Sequence, residues 1–289
     1  MQYLALTTII WAFSFGIIGS TLKGLDLLQV ADTRLWLAFL VFLPWQKFAP
    51  TSALEKVQLI ILGAVQFGLM YTCYLSAFNY IPSHLVALFS IMTPIYVVII
   101  NNLKHRQWSA WPLLAALLSV AGAAVIKTQS LGADNLWRGF LLMQIANLAF
   151  ALGQVWYRDW KLARPHLKDV NLFAYLYLGA AIMTSIATLL ISERSPIPLE
   201  ANLNQWLAMV YLGIVASGLG FFFWNKGATK TSVAMLATFN NAVVPLAMFA
   251  SLFIFGEANN STPEQLTRLA VGAALIASAL AIAKYKQAN

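Results

Sequence analysis

The sequence predicts an all-α integral membrane protein with ten transmembrane helices, arranged as two inverted five-helix repeats with both termini in the cytoplasm. Three observations support this fold class. Of the 289 residues, 60% are hydrophobic and only 10% are charged, whereas soluble domains contain about 25% charged residues. The charged residues form short clusters between apolar runs long enough to cross a bilayer. Parts of the second half also repeat the first half.

Apolar runs bounded by charged residues, Pro and Gly give ten candidate spans. They cover residues 3–22, 30–46, 57–79, 84–103, 109–126, 137–157, 171–191, 206–225, 232–255 and 267–283. The connections are short, so no separate soluble domain is expected. The first run begins near Tyr3 without a basic leader segment, and we expect it to be retained as the first span.

The distribution of basic residues predicts the orientation. Twelve of the 18 Lys and Arg residues lie on the side that holds both termini, and cytoplasmic loops carry the excess of basic residues. Seven of the ten acidic residues, Asp32 among them, are assigned to the other side. We therefore expect a multi-pass protein of the bacterial cytoplasmic (inner) membrane. Although the net charge is +8, the sequence contains no basic run and no RNA-binding motif, so no nucleic-acid partner is expected.

The two halves are related by a shift of 150 residues. This shift aligns Gly63 with Gly213, Gly68 with Gly218, and Gly122 with Gly272. The repeats are predicted to cover residues 1–128 and 135–289. Because five spans is an odd number, the second repeat enters the membrane from the opposite side, as in transporters that work by alternating access. The alternative is that small residues recur because helix packing in lipid needs them.

Polar and aromatic residues inside the spans are candidate substrate contacts, because polar groups are costly at membrane depth. The amides of the sixth span recur on one helical face, and the third span places an amide, a methionine and a tyrosine at four-residue steps. Packing hydrogen bonds and interfacial anchoring are the alternative roles. The candidate substrate-binding residues are Trp11, Gln66, Met70, Tyr74, Ser90, Gln144, Asn147, Gln154, Trp224, Asn240 and Asn241.

Two prolines are candidate hinges, and one histidine is a candidate for a residue that titrates near neutral pH. Pro94 and Pro245 lie in the fourth and ninth spans, where a missing backbone donor allows a hinge. The alternative is that neighbouring asparagines satisfy the freed carbonyl groups. His84 is a candidate proton-linked residue or a solvated interface histidine. No acidic residue is expected in mid-span. The single cysteine, Cys73, excludes a multi-thiolate site, and no metal or cofactor is expected.

Several short patterns follow one another along the chain. They are the Trp11-Ala12 opening of the first span, Arg34 at the second, the Gly63 to Pro82 pattern of the third, Phe255-Gly256-Glu257 after the ninth, and the Gly272-rich tenth. In this order they resemble the EamA-type transporters of the drug/metabolite transporter superfamily. The resemblance implies a cavity lined mainly by the third, fourth, eighth and ninth helices, with parts of the first and sixth, and export of amino acids or other metabolites.

The expected function is therefore that of a secondary transporter embedded in the lipid bilayer, which exports amino acids or related small molecules. The transporter is expected to be a monomer. Efflux of cationic drugs is an alternative, although a membrane-embedded acid would assist it and none is evident. A membrane enzyme acting on lipid-linked substrates is a further alternative. The sequence has no HExxH or GxSxG motif, so an enzyme is not expected. A channel would also fit an inverted repeat.

Overall fold

The computed structural model describes residues 1–22, 24–48, 50–77, 79–81, 86, 89–106, 110–126, 136–192, 197–249 and 263–288. These residues form helices joined by short turns, and none of them is in a strand. The helices are α1 (Gln2–Thr21), α2 (Leu27–Phe42), α3 (Ala53–Ala77), α4 (Thr93–His105), α5 (Ala110–Ile126), α6 (Leu136–Leu162), α7 (Asp169–Ile191), α8 (Leu203–Ala228), α9 (Val233–Phe249) and α10 (Pro263–Ala288). A 3-10 turn, Leu43–Phe48, extends α2.

Several helices have the length and composition of membrane spans. Five segments of the described chain qualify, namely Leu27–Phe48, Ala53–Ala77, Trp137–Leu162, Asp169–Ile191 and Leu203–Ala228. Shorter apolar stretches lie within α5, α9 and α10. The all-α membrane fold is thereby confirmed, while the count of ten spans and the cytoplasmic position of the termini stay predictions.

Helices α3 and α8 share local features at positions 150 residues apart. Ser52 with Glu55 and Asn202 with Gln205 form reciprocal capping boxes, which satisfy free backbone N–H groups where the two helices begin. Each helix later contains a π-helical turn, which holds an extra residue and shifts the side-chain register. We call these the wide turns of α3 (Ala64–Leu69) and of α8 (Leu212–Leu219).

The two halves are interlocked through glycines. Helix α3 crosses α7, and a Cβ added to Gly63 would lie 2.6 Å from the Leu176 Cα. Helix α8 crosses α2, where a Cβ on Gly213 would lie 2.9 Å from the Leu37 side chain. Small residues allow helices to approach this closely in a membrane. The second helix of each half is thus held by the third helix of the other.

The fourth span is helical on both sides of a break. Residues 86, 89 and 90 are helical, residues 91–92 form a turn, and α4 starts at Thr93, within the apolar run that predicted a span from residue 84. Pro94 lies in the first turn of α4, where a missing N–H costs nothing and the ring disfavours a helical residue before it. Pro94 therefore lies just after a break in the span, at the start of the helix that follows it. Pro245 does lie inside α9.

The second helix begins earlier than predicted, which changes the position of an acid. The Asp26 carboxylate accepts a hydrogen bond from the Leu28 N–H at 2.8 Å and caps α2. Asp32 consequently lies inside the helix and is buried, with hydrogen bonds from Thr184 (2.9 Å) and Ser185 (2.8 Å) on α7. Asp32 is the sixth residue of the 22-residue segment Leu27–Phe48, near its start, so the expectation that no acid lies in mid-span stays a prediction.

Candidate functional site

A cavity of about 170 Å³ opens between the two halves. It is lined by residues of α1, α2, α3, α6, α8 and α9, by the first residue of α4 and by the segment before it. These residues are Trp11, Ser14, Ile18, Arg34, Met70, Tyr71, Tyr74, Ser90, Thr93, Met143, Ala146, Asn147, Phe150, Phe221, Asn240 and Val243. The lining is mostly apolar and aromatic with a few polar groups, which is typical of small-molecule sites.

The apolar wall is a cluster of aromatic rings in mutual contact. The Trp11 ring centroid lies 5.1 Å from that of Phe221 and 6.1 Å from that of Phe150. Behind it, the buried Trp224 ring stacks on Trp11 at 5.0 Å. The Trp11 indole N–H donates to the Ala216 carbonyl at 2.9 Å. The ring is thus fixed in orientation and can present a rigid apolar face.

The wide turn of α8 explains why Trp11 finds a carbonyl acceptor there. A π-helical turn alters the regular hydrogen-bond pattern, and its carbonyls become available to side chains. The Tyr177 hydroxyl of α7 lies 2.8 Å from the Ser217 carbonyl and 2.7 Å from the Gly218 carbonyl. Helices α1 and α7 therefore hold the part of α8 that borders the cavity.

The segment before α4 contributes polar groups to the cavity. The Asn147 amide donates to the Phe89 carbonyl at 2.7 Å, and the Asn241 amide donates to the Ile91 carbonyl at 3.1 Å. The Thr93 hydroxyl lies 2.9 Å from the Ser90 carbonyl. Side chains therefore satisfy three successive carbonyls of this helix break, as buried backbone groups require.

Arg34 is the cation of the cavity. Its side chain is only 4% exposed. Its Nε donates to the Ser217 hydroxyl at 3.2 Å, and its Nη2 donates to the Tyr71 hydroxyl at 2.7 Å. The guanidinium also lies 5.0 Å from the Tyr71 ring centroid. No carboxylate of the described residues forms an ion pair with Arg34, since Asp32 faces α7 instead.

Six of the predicted substrate-binding residues line the cavity: Trp11, Met70, Tyr74, Ser90, Asn147 and Asn240. Five lie outside its lining. Gln66 forms a reciprocal amide pair with Asn225, at 2.7 and 3.1 Å. Gln154 forms another with Asn240, at 3.3 and 3.2 Å. The other three also have partners in the protein. Gln144 accepts a hydrogen bond from the Tyr96 hydroxyl, and the Trp224 ring stacks on Trp11. Asn241 donates a hydrogen bond to the Ile91 carbonyl.

The candidate hinge prolines lie away from the cavity lining, and the candidate proton-linked histidine lies outside the described residues. Pro94 starts α4, and Pro245 borders a second, apolar cavity between α1, α9 and α10. His84 lies outside the described residues. Within the described part of the chain, no three His, Cys, Asp or Glu side chains are grouped as a metal site would require. The functional roles assigned to these residues stay predictions.

Sequence reasoning missed Tyr71 and Phe221 and left Arg34 out of the candidate set. The wide turn of α3 is the physical reason for Tyr71. An extra residue rotates the following side chains by about 100°, so Gln66 faces α8 while Met70, Tyr71 and Tyr74 face the cavity. The sequence around Gly68 gives no local signal that reveals the turn.

Comparisons with known proteins identify the family. The profile of the EamA-like transporter family matches residues 1–128 and 137–283. A Pseudomonas aeruginosa protein named "Probable biotin transporter" is 37% identical over 284 residues, covering 97% of this chain and 96% of its own. An Escherichia coli protein named "Biotin transporter" is 37% identical over 257 residues, covering 88% and 85%.

More distant proteins share the fold. An "Uncharacterized transporter" of Archaeoglobus fulgidus is 24% identical over 273 residues, with 92% of this chain and 91% of its own covered. One solved structure matches with a TM-score of 0.80 at 18% identity, covering all of this chain and 98% of the other. The chain thus belongs to the EamA-like transporter family of the drug/metabolite transporter superfamily and is a secondary transporter of small molecules embedded in the membrane.

Proposed function

We propose that this transporter carries biotin, or a close analogue of biotin, by alternating access. The observation that carries the proposal is the charge of the cavity. Among its described lining residues, Arg34 is the one basic residue and none is acidic. Such a site favours a monoanion that has no positively charged group of its own. Biotin is such a compound, and two relatives aligned over most of this chain are named for biotin transport.

The other surfaces of the cavity suit the remaining parts of biotin. Biotin joins a fused ureido and thioether ring system to an aliphatic chain that ends in a carboxylate. The rings of Trp11, Phe150 and Phe221, tilted against one another, offer an apolar wall to the ring system. Beyond their described hydrogen bonds, Asn147 keeps one amide hydrogen and Asn240 keeps one acceptor site on its oxygen, and these can meet the ureido carbonyl and N–H groups.

The same charge balance disfavours the substrate classes expected from sequence alone. An amino acid brings an ammonium group as well as a carboxylate, and a buried ammonium needs a partner. The described cavity residues supply no carboxylate for it. Cationic drugs would meet Arg34 directly and be repelled. We therefore propose biotin in place of amino acids as the substrate class.

The proposal includes the arrangement of the protein in the cell. The basic residues favour a bacterial inner membrane location with both termini inside. The glycine contacts between α3 and α7 and between α8 and α2 join the two predicted repeats, residues 1–128 and 135–289, into one unit around the cavity. A monomer is therefore sufficient for transport.

Counterflow in proteoliposomes tests the function. Vesicles containing purified protein and preloaded with unlabelled biotin should take up labelled biotin in a saturable manner, and empty vesicles should not. A mixture of unlabelled amino acids should leave this uptake unchanged. In a bacterium that lacks biotin synthesis and its own biotin carrier, expression should permit growth on low external biotin. Uptake of amino acids without uptake of biotin would refute the proposal.

A further inference from the structure

Arg34 is buried without a charge partner among the described residues. It is 4% exposed, lies in α2 and lines the cavity. Its two hydrogen-bond partners, Ser217 and Tyr71, are neutral hydroxyl groups. Removing a cation from water without an anion is expensive, and an ionisable group within the membrane marks a functional site by default. The charge partner of Arg34 is therefore an anion that binds and dissociates.

The hydrogen-bond capacity of Arg34 leaves room for that anion. A guanidinium has five N–H donors in one plane. Among the described contacts, one donor serves Ser217 and one serves Tyr71. Three donors remain, and both donors of Nη1 are among them. A carboxylate accepts two parallel hydrogen bonds from such a group.

The surrounding residues fix the direction of the guanidinium. Tyr71, on α3, lies beneath it at 5.0 Å and also accepts a hydrogen bond at 2.7 Å. Ser217 belongs to the wide turn of α8, and its hydroxyl lies 3.3 Å from that of Tyr71. Helices from both halves thus hold Arg34 in place before any ligand arrives, which reduces the entropy lost on binding.

We propose that Arg34 binds the carboxylate of the transported substrate, and that Tyr71 and Ser217 position it for this contact. The proposal rests on the proposed function and deepens it, because it states which end of biotin is recognised by charge. It follows that the transporter selects biotin with a free carboxylate. Esters and amides of biotin, which have lost the negative charge, are then poor substrates even though their ring system is unchanged.

Competition for labelled biotin in proteoliposomes tests this assignment. The competitors are biotin, biotin methyl ester and desthiobiotin, which keeps the carboxylate but lacks the thioether ring. The variants are Arg34→Gln, Arg34→Lys and Tyr71→Phe. Arg138→Gln is the matched control, because Arg138 is an exposed arginine at the start of α6 outside the cavity lining. Folding of each variant is checked by monodispersity and thermal stability in detergent.

The wild-type protein should bind the methyl ester about 10- to 150-fold more weakly than biotin, the range expected for a lost hydrogen bond to a charged group. Arg34→Gln should weaken biotin binding by a similar factor and remove the preference over the ester. Arg34→Lys should keep part of the preference, since it keeps the charge but loses the planar fork. Tyr71→Phe should weaken biotin more than the ester. Arg138→Gln should match the wild type.

The outcomes separate two failures. If wild-type protein binds neither biotin nor desthiobiotin, the proposed function is wrong and the assignment of Arg34 is wrong with it. If wild-type protein exchanges biotin but a folded Arg34→Gln variant keeps the full preference for biotin over its ester, only the assignment is overturned. If Arg34→Gln does not fold, Arg34→Lys and Tyr71→Phe decide, and an unchanged ester preference in both would overturn it.

Discussion

The close crossing of α3 and α7 makes a substitution of Gly63 by alanine informative. The new Cβ would lie 2.5 Å from the Leu176 carbonyl carbon and 2.6 Å from its Cα, whereas carbon atoms in contact are about 3.5–4.0 Å apart. The helices must therefore separate by about 1 Å. Overpacking of this kind costs about 1–3 kcal/mol, and the better helix propensity of alanine returns about 0.5–1 kcal/mol.

The separation would also disturb the cavity. Tyr71 lies two turns beyond Gly63 on α3, and its hydroxyl is 2.7 Å from Arg34 Nη2. A movement of about 1 Å would take this distance beyond hydrogen-bond range. We therefore expect Gly63→Ala to lower the thermal midpoint in detergent by up to about 10 °C and to reduce substrate exchange in proteoliposomes.

Two further substitutions complete this test. Gly179→Ala meets the same crossing from α7, with its Cβ 2.7 Å from the Ile60 carbonyl carbon, and should behave like Gly63→Ala. Gly218→Ala is the comparison, because the closest contact of its new Cβ is 3.2 Å, and it should lower the midpoint less than either crossing variant. A wild-type midpoint and rate in both crossing variants would show that the crossing does not fix the position of α3.

Three other predictions concern the amides. Asn147→Leu should reduce substrate exchange strongly while Gln144→Leu should not, because only Asn147 lines the cavity; equal losses in the proteoliposome assay would contradict this. Gln66→Leu and Asn225→Leu should each lower the thermal midpoint, and the double variant should lose less than the sum, since each single change strands the other amide; additive losses would argue against the pair. Asn241→Leu should destabilise the break before α4 by about 1–3 kcal/mol, measured by chemical denaturation in detergent, because it leaves a buried carbonyl without a donor; an unchanged midpoint would contradict this.

Composition and hydrophobic runs were sufficient to predict the fold class. The helices α3, α6, α7 and α8 occur where the apolar runs placed them, and the glycine alignment anticipated shared features in α3 and α8. These properties follow from local sequence, because a membrane span must satisfy its own backbone groups as a helix. The break at residues 91–92 was not predicted, because an apolar run does not show where a helix is interrupted.

The cavity was predicted only in part, because its partners are distant in sequence. Arg34 meets Tyr71 and Ser217, which lie 37 and 183 residues away. A helical wheel shows that Gln66 and Asn147 are polar positions, but it cannot say that Gln66 pairs with another amide while Asn147 reaches the cavity. The wide turn of α3 determines which face of this helix lines the cavity, and residue spacing alone does not reveal such a turn.

The dependence of α2 on the second half has a consequence for biogenesis. Thr184, whose hydroxyl donates to Asp32, lies 152 residues later in the sequence, and Ser217, which accepts from Arg34, lies 183 residues later. At about 5–20 residues per second, ribosomes need roughly 8–30 s to make the 152-residue stretch. During that interval α2 resides in the bilayer without these two partners, and Tyr71, 37 residues after Arg34, is the one described partner of Arg34 already made. Insertion of the first half is therefore a step, besides final stability, at which substitutions in α2 can be felt.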